Sequence, residues 1–246
     1  MKRLRILKKL LNILYTNENQ LYMKRIRIFT LLLLPLFAFT FKSNSQSIEI
    51  KAGVNLSTML AKDEIETYSK DYQMVPRILL GVTTELSLTR LFLFETGLQF
   101  SSKGYKIDTF YPVSTYEGEF IPIYEDVTLN YIEIPLFLKM SAQFKKIQFL
   151  FTFGPYIGMG LNEKQTVHEY IWEEENYKNK KYRNQMGKDG RWKRFDYGLQ
   201  AGLGLKIEQM VFKINYGYGL ADIAQQDSFT SKNRVLGVTL GYKFEL

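Results

Sequence analysis

Ten charged residues fall in step with apolar neighbours, so that each shares a strand face with small or polar residues: Glu49, Lys51, Glu85, Glu95, Glu133, Lys139, Asp196, Lys206, Lys213 and Lys243. Gln99 and Gln200 fall in the same positions. Such a mixed set supports ion pairing, because carboxylates and ammonium groups taken out of water must neutralise one another. For Glu133 and Lys139 an ion relay is the functional alternative to a structural brace. Other chemistry is thin. His168 is the single histidine, beside Glu169 and upstream of Glu173, Glu174 and Glu175. One imidazole with carboxylates holds a metal weakly, and the paired-histidine spacing of a zinc enzyme is absent. A catalytic serine would have to meet His168 across separate loops, with no nucleophile elbow to present it. The chain has no cysteine, which removes disulfides, thiolate metal sites and cysteine nucleophiles. The expectation is a non-enzymatic protein with no catalytic residue, no cofactor, no metal site, and His168 in a solvated loop.

The ten charges need elements that alternate, and eight segments do so: 48–57, 77–88, 92–101, 128–139, 148–159, 195–206, 211–220 and 233–244. In 48–57, Ile48, Ile50, Ala52, Val54 and Leu56 oppose Glu49, Lys51, Gly53, Asn55 and Ser57. In 211–220, Phe212, Ile214, Tyr216, Tyr218 and Leu220 oppose Lys213, Asn215, Gly217 and Gly219. Period-two alternation marks a strand with two unlike faces. The connections decide between a soluble sandwich and a membrane barrel. Short ones at 89–91, 141–147 and 207–210 alternate with long ones at 58–76, 102–127, 160–194 and 221–232. Strands of about 9–11 residues are long enough to cross a bilayer when tilted. Outer-membrane barrels sort their short turns to the periplasm and their long loops outward. The fold expected is therefore all-β: an eight-stranded antiparallel up-and-down transmembrane β-barrel, with short periplasmic turns, long extracellular loops and both termini in the periplasm.

Charge distribution agrees with export. Residues 23–45 have a basic start (Lys24, Arg25, Arg27), an apolar run over 28–41 and small residues at Ser43 and Ser45, the layout of a cleaved secretory signal peptide. Residues 1–22 read as an extended or mis-assigned N-terminus with Met23 as the initiator, and 46–246 as one outer-membrane domain. The first 45 residues hold nine of the 33 basic residues and one of the 25 acidic ones, leaving 24 of each in the mature chain. A net charge of +8 would suggest nucleic acid, but the excess lies in the removed segment, so nucleic acid is excluded as a partner.

Outward residues of such a barrel meet lipid, while the backbone must pair within a closed sheet. Tyr105, Tyr131, Tyr156, Tyr197, Tyr216 and Tyr242 suit the interfacial aromatic girdles. An eight-stranded barrel has an interior that side chains fill, so the ten charges form a candidate lumen network that plugs it. Inward glycines (Gly53, Gly81, Gly97, Gly154, Gly202, Gly217, Gly237) leave room for the long side chains. Glu133 and Lys139 lie about 20 Å apart along one strand and need partners elsewhere; for Glu133 these are Lys51, Lys206 or Lys213. Pro135 forfeits a ladder donor and calls for a bulge or local distortion. The basic run from Lys178 to Arg183 reads as a charged external loop bracketed by Trp172 and Trp192, which fold it back on the rim.

The run Tyr131-Ile132-Glu133-Ile134-Pro135-Leu136-Phe137-Leu138-Lys139 resembles the strand-four motif of the PorT-like outer-membrane β-barrel family. Ala52-Gly53-Val54-Asn55-Leu56-Ser57, Phe153-Gly154-Pro155-Tyr156, the 195–204 glycine repeat and Tyr216-Gly217-Tyr218-Gly219-Leu220 are similar to other strands of that family. The resemblance implies a Gram-negative outer-membrane location, outer-membrane lipid as surroundings, and an envelope or secretion-machinery protein as partner. It allows a role in type IX protein secretion. The expected function is a monomeric structural or interaction barrel with a plugged polar lumen, and the alternative is a small porin-like channel. The chain departs from the usual terminal aromatic residue of such barrels, with Phe244 third from the end.

Overall fold

The computed structural model describes residues 46–63, 67–112, 120–171, 176–187, 190–226 and 228–245. The expected signal peptide (23–45) and the segment before it (1–22) lie outside the described residues, as do Trp172, Glu173, Glu174, Glu175 and the side chain of Glu169. Every described strand belongs to one unit, Ser45–Leu246.

Nine antiparallel strands form: β1 (Gln46–Lys62), β2 (Val75–Ser87), β3 (Phe92–Pro112), β4 (Phe120–Phe144), β5 (Ile147–Ile171), β6 (Asn176–Gln185), β7 (Phe195–Ile207), β8 (Met210–Gly219) and β9 (Thr230–Glu245). Neighbouring strands pair in chain order, β5 passes directly to β7, and β1 pairs with β9. The ring of eight is thereby closed, and every membrane-crossing strand has a partner strand on each side.

The outward face follows the alternation. Ile78, Leu203 and Phe195 are 60%, 67% and 68% exposed, and the same face of every crossing strand carries Leu, Ile, Val, Phe, Met or Tyr. An apolar surface this extensive is stable in lipid and not in water. The two-residue turns Lys145–Lys146 and Glu208–Gln209 close their hairpins with φ of 54° at Lys145 and 52° at Glu208. A branched side chain is strained in that left-handed region. Lys145→Val is therefore expected to lower stability by about 1–2 kcal/mol and Lys145→Gly to leave it unchanged, read by urea unfolding in lipid vesicles.

The expected long loops are largely strand. β3 and β4 continue as a hairpin in which Lys103 to Pro112 pair with Leu129 to Phe120. β5 continues past the barrel and pairs with β6 over Asn162–Gln185 to Ile171–Asn176. Lys178 to Arg183 thus form an external edge strand and not a loop, and His168 sits in β5 opposite Asn179. Loop 58–76 shrinks as β1 runs on to Lys62 and Tyr68–Asp71 forms a single 3-10 turn.

Pro135 produces no bulge. Register on both sides of β4 is the same before and after it, with one interruption of pairing toward β3 (Gly97, Leu98) and one toward β5 (Gly154, Pro155). The bulge lies instead between Asn130 and Tyr131, where β4 leaves the barrel wall for the external sheet.

Candidate functional site: the filled lumen

Side chains converge in the barrel from all around the wall, in two charged layers beneath an apolar cap. The layer nearest the short turns takes Glu49 and Lys51 from β1, Glu85 from β2, Glu95 from β3, Lys139 from β4, Lys213 from β8 and Lys243 from β9. Glu95 is its centre. Its two oxygens lie 3.1–3.2 Å from the ammonium groups of Lys51, Lys139 and Lys213. Glu85 accepts bonds from Lys139 and from Lys243 at 2.7 Å, and Glu49 pairs with Lys213 at 2.9 Å. Glu85 and Glu95 stand directly opposite each other across the β2–β3 ladder, a repulsive placement that Lys139 neutralises by bonding both. Glycines make the space. A Cβ on Gly81, Gly204 or Gly241 would lie within about 3 Å of the Lys51, Lys213 or Glu49 side chain.

The second layer is built on Lys103. Its ammonium group lies 2.6 Å from Glu133 and 2.8 Å from Asp196, and above the rings of Tyr156 (4.2 Å) and Tyr131 (5.2 Å). Gln99 donates to Glu133 at 2.9 Å, and Asn233 donates to Asp196 at 2.9 Å. The partner of Glu133 is thus Lys103 and not Lys51, Lys206 or Lys213. Lys206 stands apart from both layers and bonds Glu245 at the rim, 2.6 Å away. Tyr131 and Tyr156 belong to this layer, and Tyr105 to the cap above it, so three of the six expected girdle tyrosines are buried; Tyr197, Tyr216 and Tyr242 face outward. Between the layers is a cavity of about 20 Å³, bordered by Asn55, Gln99, Lys103, Glu133 and Asn215. It has room for about one water molecule.

Above the second layer the interior turns apolar. Met59, Tyr105, Val127, Leu129, Met186, Trp192, Ala221 and Ile223 form one buried cluster across the mouth, with Tyr72 stacked on Tyr105 at 4.3 Å. Backbone bonds tie the segments that cross it: Lys193 donates to Ile223, and Gln225 to Arg191. Glu163 fastens them by accepting from Arg191 at 2.7 Å and from the Trp192 indole at 3.1 Å, while Arg191 also reaches Glu125 at 3.0 Å. Burial and the neighbouring Glu125 carboxylate push the Tyr105 phenol well above its usual range, so it stays a neutral donor to Glu125. His168 is exposed and stacks on Tyr124 at 4.2 Å, away from all three levels.

An antiparallel ring with an apolar exterior and ion-paired interior is the architecture of an outer-membrane β-barrel. The chain belongs to the outer membrane protein beta-barrel domain family, whose model matches residues 40–225, and this places it in the Gram-negative outer membrane. No curated protein matches the chain. Among solved structures, it is similar to the attachment invasion locus protein Ail of Yersinia pestis (13% identity, 82% of this chain and 99% of that one, TM-score 0.33). It is also similar to Neisserial surface protein A (10% identity, 81% and 97%, TM-score 0.35) and to the outer membrane protease OmpT of Escherichia coli (7% identity, 83% and 98%, TM-score 0.33). At such identities these proteins lend the chain no function.

Proposed function

We propose that this protein is a closed, non-enzymatic outer-membrane barrel that acts as a structural and interaction protein, presenting its external sheet from a lumen that does not conduct. One observation carries the reading: the interior is filled at three levels, by the Glu95 layer, the Lys103 layer and the apolar cap over Trp192. A water-filled channel needs a continuous polar path, and the 20 Å³ cavity between the two charged layers is too small to be one. The carboxylates that could act as acids or bases there are held in ion pairs. The surface offered to partners is the sheet formed above the barrel by the outer parts of β3, β4 and β5 together with β6.

Purified barrel in a planar bilayer is expected to give no stable conducting events at physiological salt. Reproducible single-channel steps from the unmodified protein would reject the closed reading in favour of a porin-like one. The strand-four run that resembles PorT-like proteins supplies Glu133, Lys139 and Tyr131, all buried in the lumen. That placement favours a barrel-wall brace over a docking motif. The secretion-machinery reading is tested by deleting the gene and measuring exported cargo, with undiminished export rejecting it.

A further inference from the structure

Three cations sit on the outer wall where the apolar band ends on the loop side. On β9 the outward residues run Tyr242, Leu240, Val238 and Leu236, and then change to Arg234 and Lys232. On β1 the outward series ends on Lys62. Register places Arg234 opposite Thr58, Lys232 opposite Leu60 and Lys62 opposite Thr230, so the three form one short basic row across two paired strands. Among the described residues none of the three pairs with a carboxylate.

Arg234 is held in place. Its guanidinium lies 3.5 Å over the ring of Tyr218, its neighbour on β8, and its Nη1 donates to the carbonyls of Gly219 (2.9 Å) and Asn233 (2.8 Å). Stacking and two bonds fix the plane of the fork, leaving the rest of a bidentate donor set pre-oriented at a level where the wall changes from apolar to polar. Planar donors of this kind suit phosphate oxygens, and the ammonium groups of Lys232 and Lys62, one and two outward positions further toward the loops, match its second charge.

We propose that Arg234, Lys232 and Lys62, with Tyr218 as the platform, bind a phosphate-bearing lipid headgroup of the outer leaflet. Depth selects a lipid over a free anion: Leu236, Val238 and Leu240 directly below the row continue the site with a surface that takes acyl chains. The inference rests on the membrane placement of the barrel and not on whether its lumen is closed.

The test uses the full chain in phosphatidylcholine vesicles doped equally with bis-phosphorylated and dephosphorylated lipid A, and native mass spectrometry to count the lipid retained. Wild type is expected to retain the phosphorylated form at least about fivefold over the other, the worth of one cation at a charged membrane surface. The triple variant Lys62→Gln/Lys232→Gln/Arg234→Gln, checked for folding by its heat-modifiable gel shift, is expected to fall to parity. The control Lys145→Gln/Lys146→Gln, at the opposite end of the barrel, is expected to keep the preference. A triple variant that keeps the wild-type preference overturns the proposal. So does equal loss in the control, which would reveal general charge attraction, or release of the lipid by excess inorganic phosphate, which would reveal a site for free anion.

Discussion

Glu95→Gln is expected to lower the unfolding free energy of the barrel by about 3–5 kcal/mol, the usual result of removing one partner from a buried charge network. The side chain is 1% exposed and its carboxylate meets three lysines. A neutral amide of the same shape keeps the packing and one acceptor but leaves Lys51, Lys139 and Lys213 sharing Glu49 and Glu85. The layer would then hold four ammonium groups, counting Lys243, against two carboxylates. Burial without pairing is the costly state, so adding Lys213→Met should recover part of the loss, even though it removes a further charged group. Urea unfolding in lipid vesicles reads both numbers. A stability unchanged by Glu95→Gln would mean that water screens the layer, and the lumen would then not be closed at this level.

Trp192→Ala has the second large effect, and it is local. The indole is 5% exposed, packs edge-on to Tyr105 at 6.3 Å and donates to Glu163. Its residue also bridges to Ala224, which joins the two segments over the mouth. Truncating a buried tryptophan costs about 3–5 kcal/mol. The cap has its own small core above the charged layers, so the loss should appear there before the barrel itself weakens. Hydrogen exchange of the Gly187, Lys193, Ile223 and Gln225 amides is expected to speed up by a hundredfold or more, by about 1.4 kcal/mol per factor of ten, while amides of β8 and β9 keep their protection. Conductance should remain absent in Trp192→Ala, because both charged layers still block the path. It should stay absent even when Trp192→Ala is combined with Glu95→Gln, because the Lys103 layer is untouched and still closes the lumen. Uniform acceleration over the whole barrel would show that the cap is no separate unit.

The residues missed in the sequence share one cause. Within the membrane, inward positions are polar and outward ones apolar; above it the same strands enter water and the polarity inverts. Tyr105, Val127 and Leu129 then point inward as a small core, and Lys106 and Thr128 alternate with them. A pattern read as apolar-out loses its phase at that point, so 102 onward reads as loop, and with it Lys103, among the described residues the cation that pairs with both Glu133 and Asp196. The parity signal was nevertheless present. Lys103 and Tyr105 are in step with Gln99 and Ser101, and Tyr131 is in step with Glu133, which is the face the structure gives them. At Pro135, of the bulge or local distortion expected, the structure has the distortion: the missing donor is absorbed by interrupting two neighbouring ladders in register, without the extra residue of a bulge.

Alternation and strand lengths by themselves determined the barrel and the inward placement of the charges, because period two and bilayer thickness are local constraints. Which charges meet is a different kind of fact. Glu95 lies 118 residues from Lys213, and Lys103 lies 93 from Asp196. Only closure of the ring sets the depth and angle at which those side chains reach the axis, and only the crossing of separate loops over the mouth builds the apolar cap that seals it.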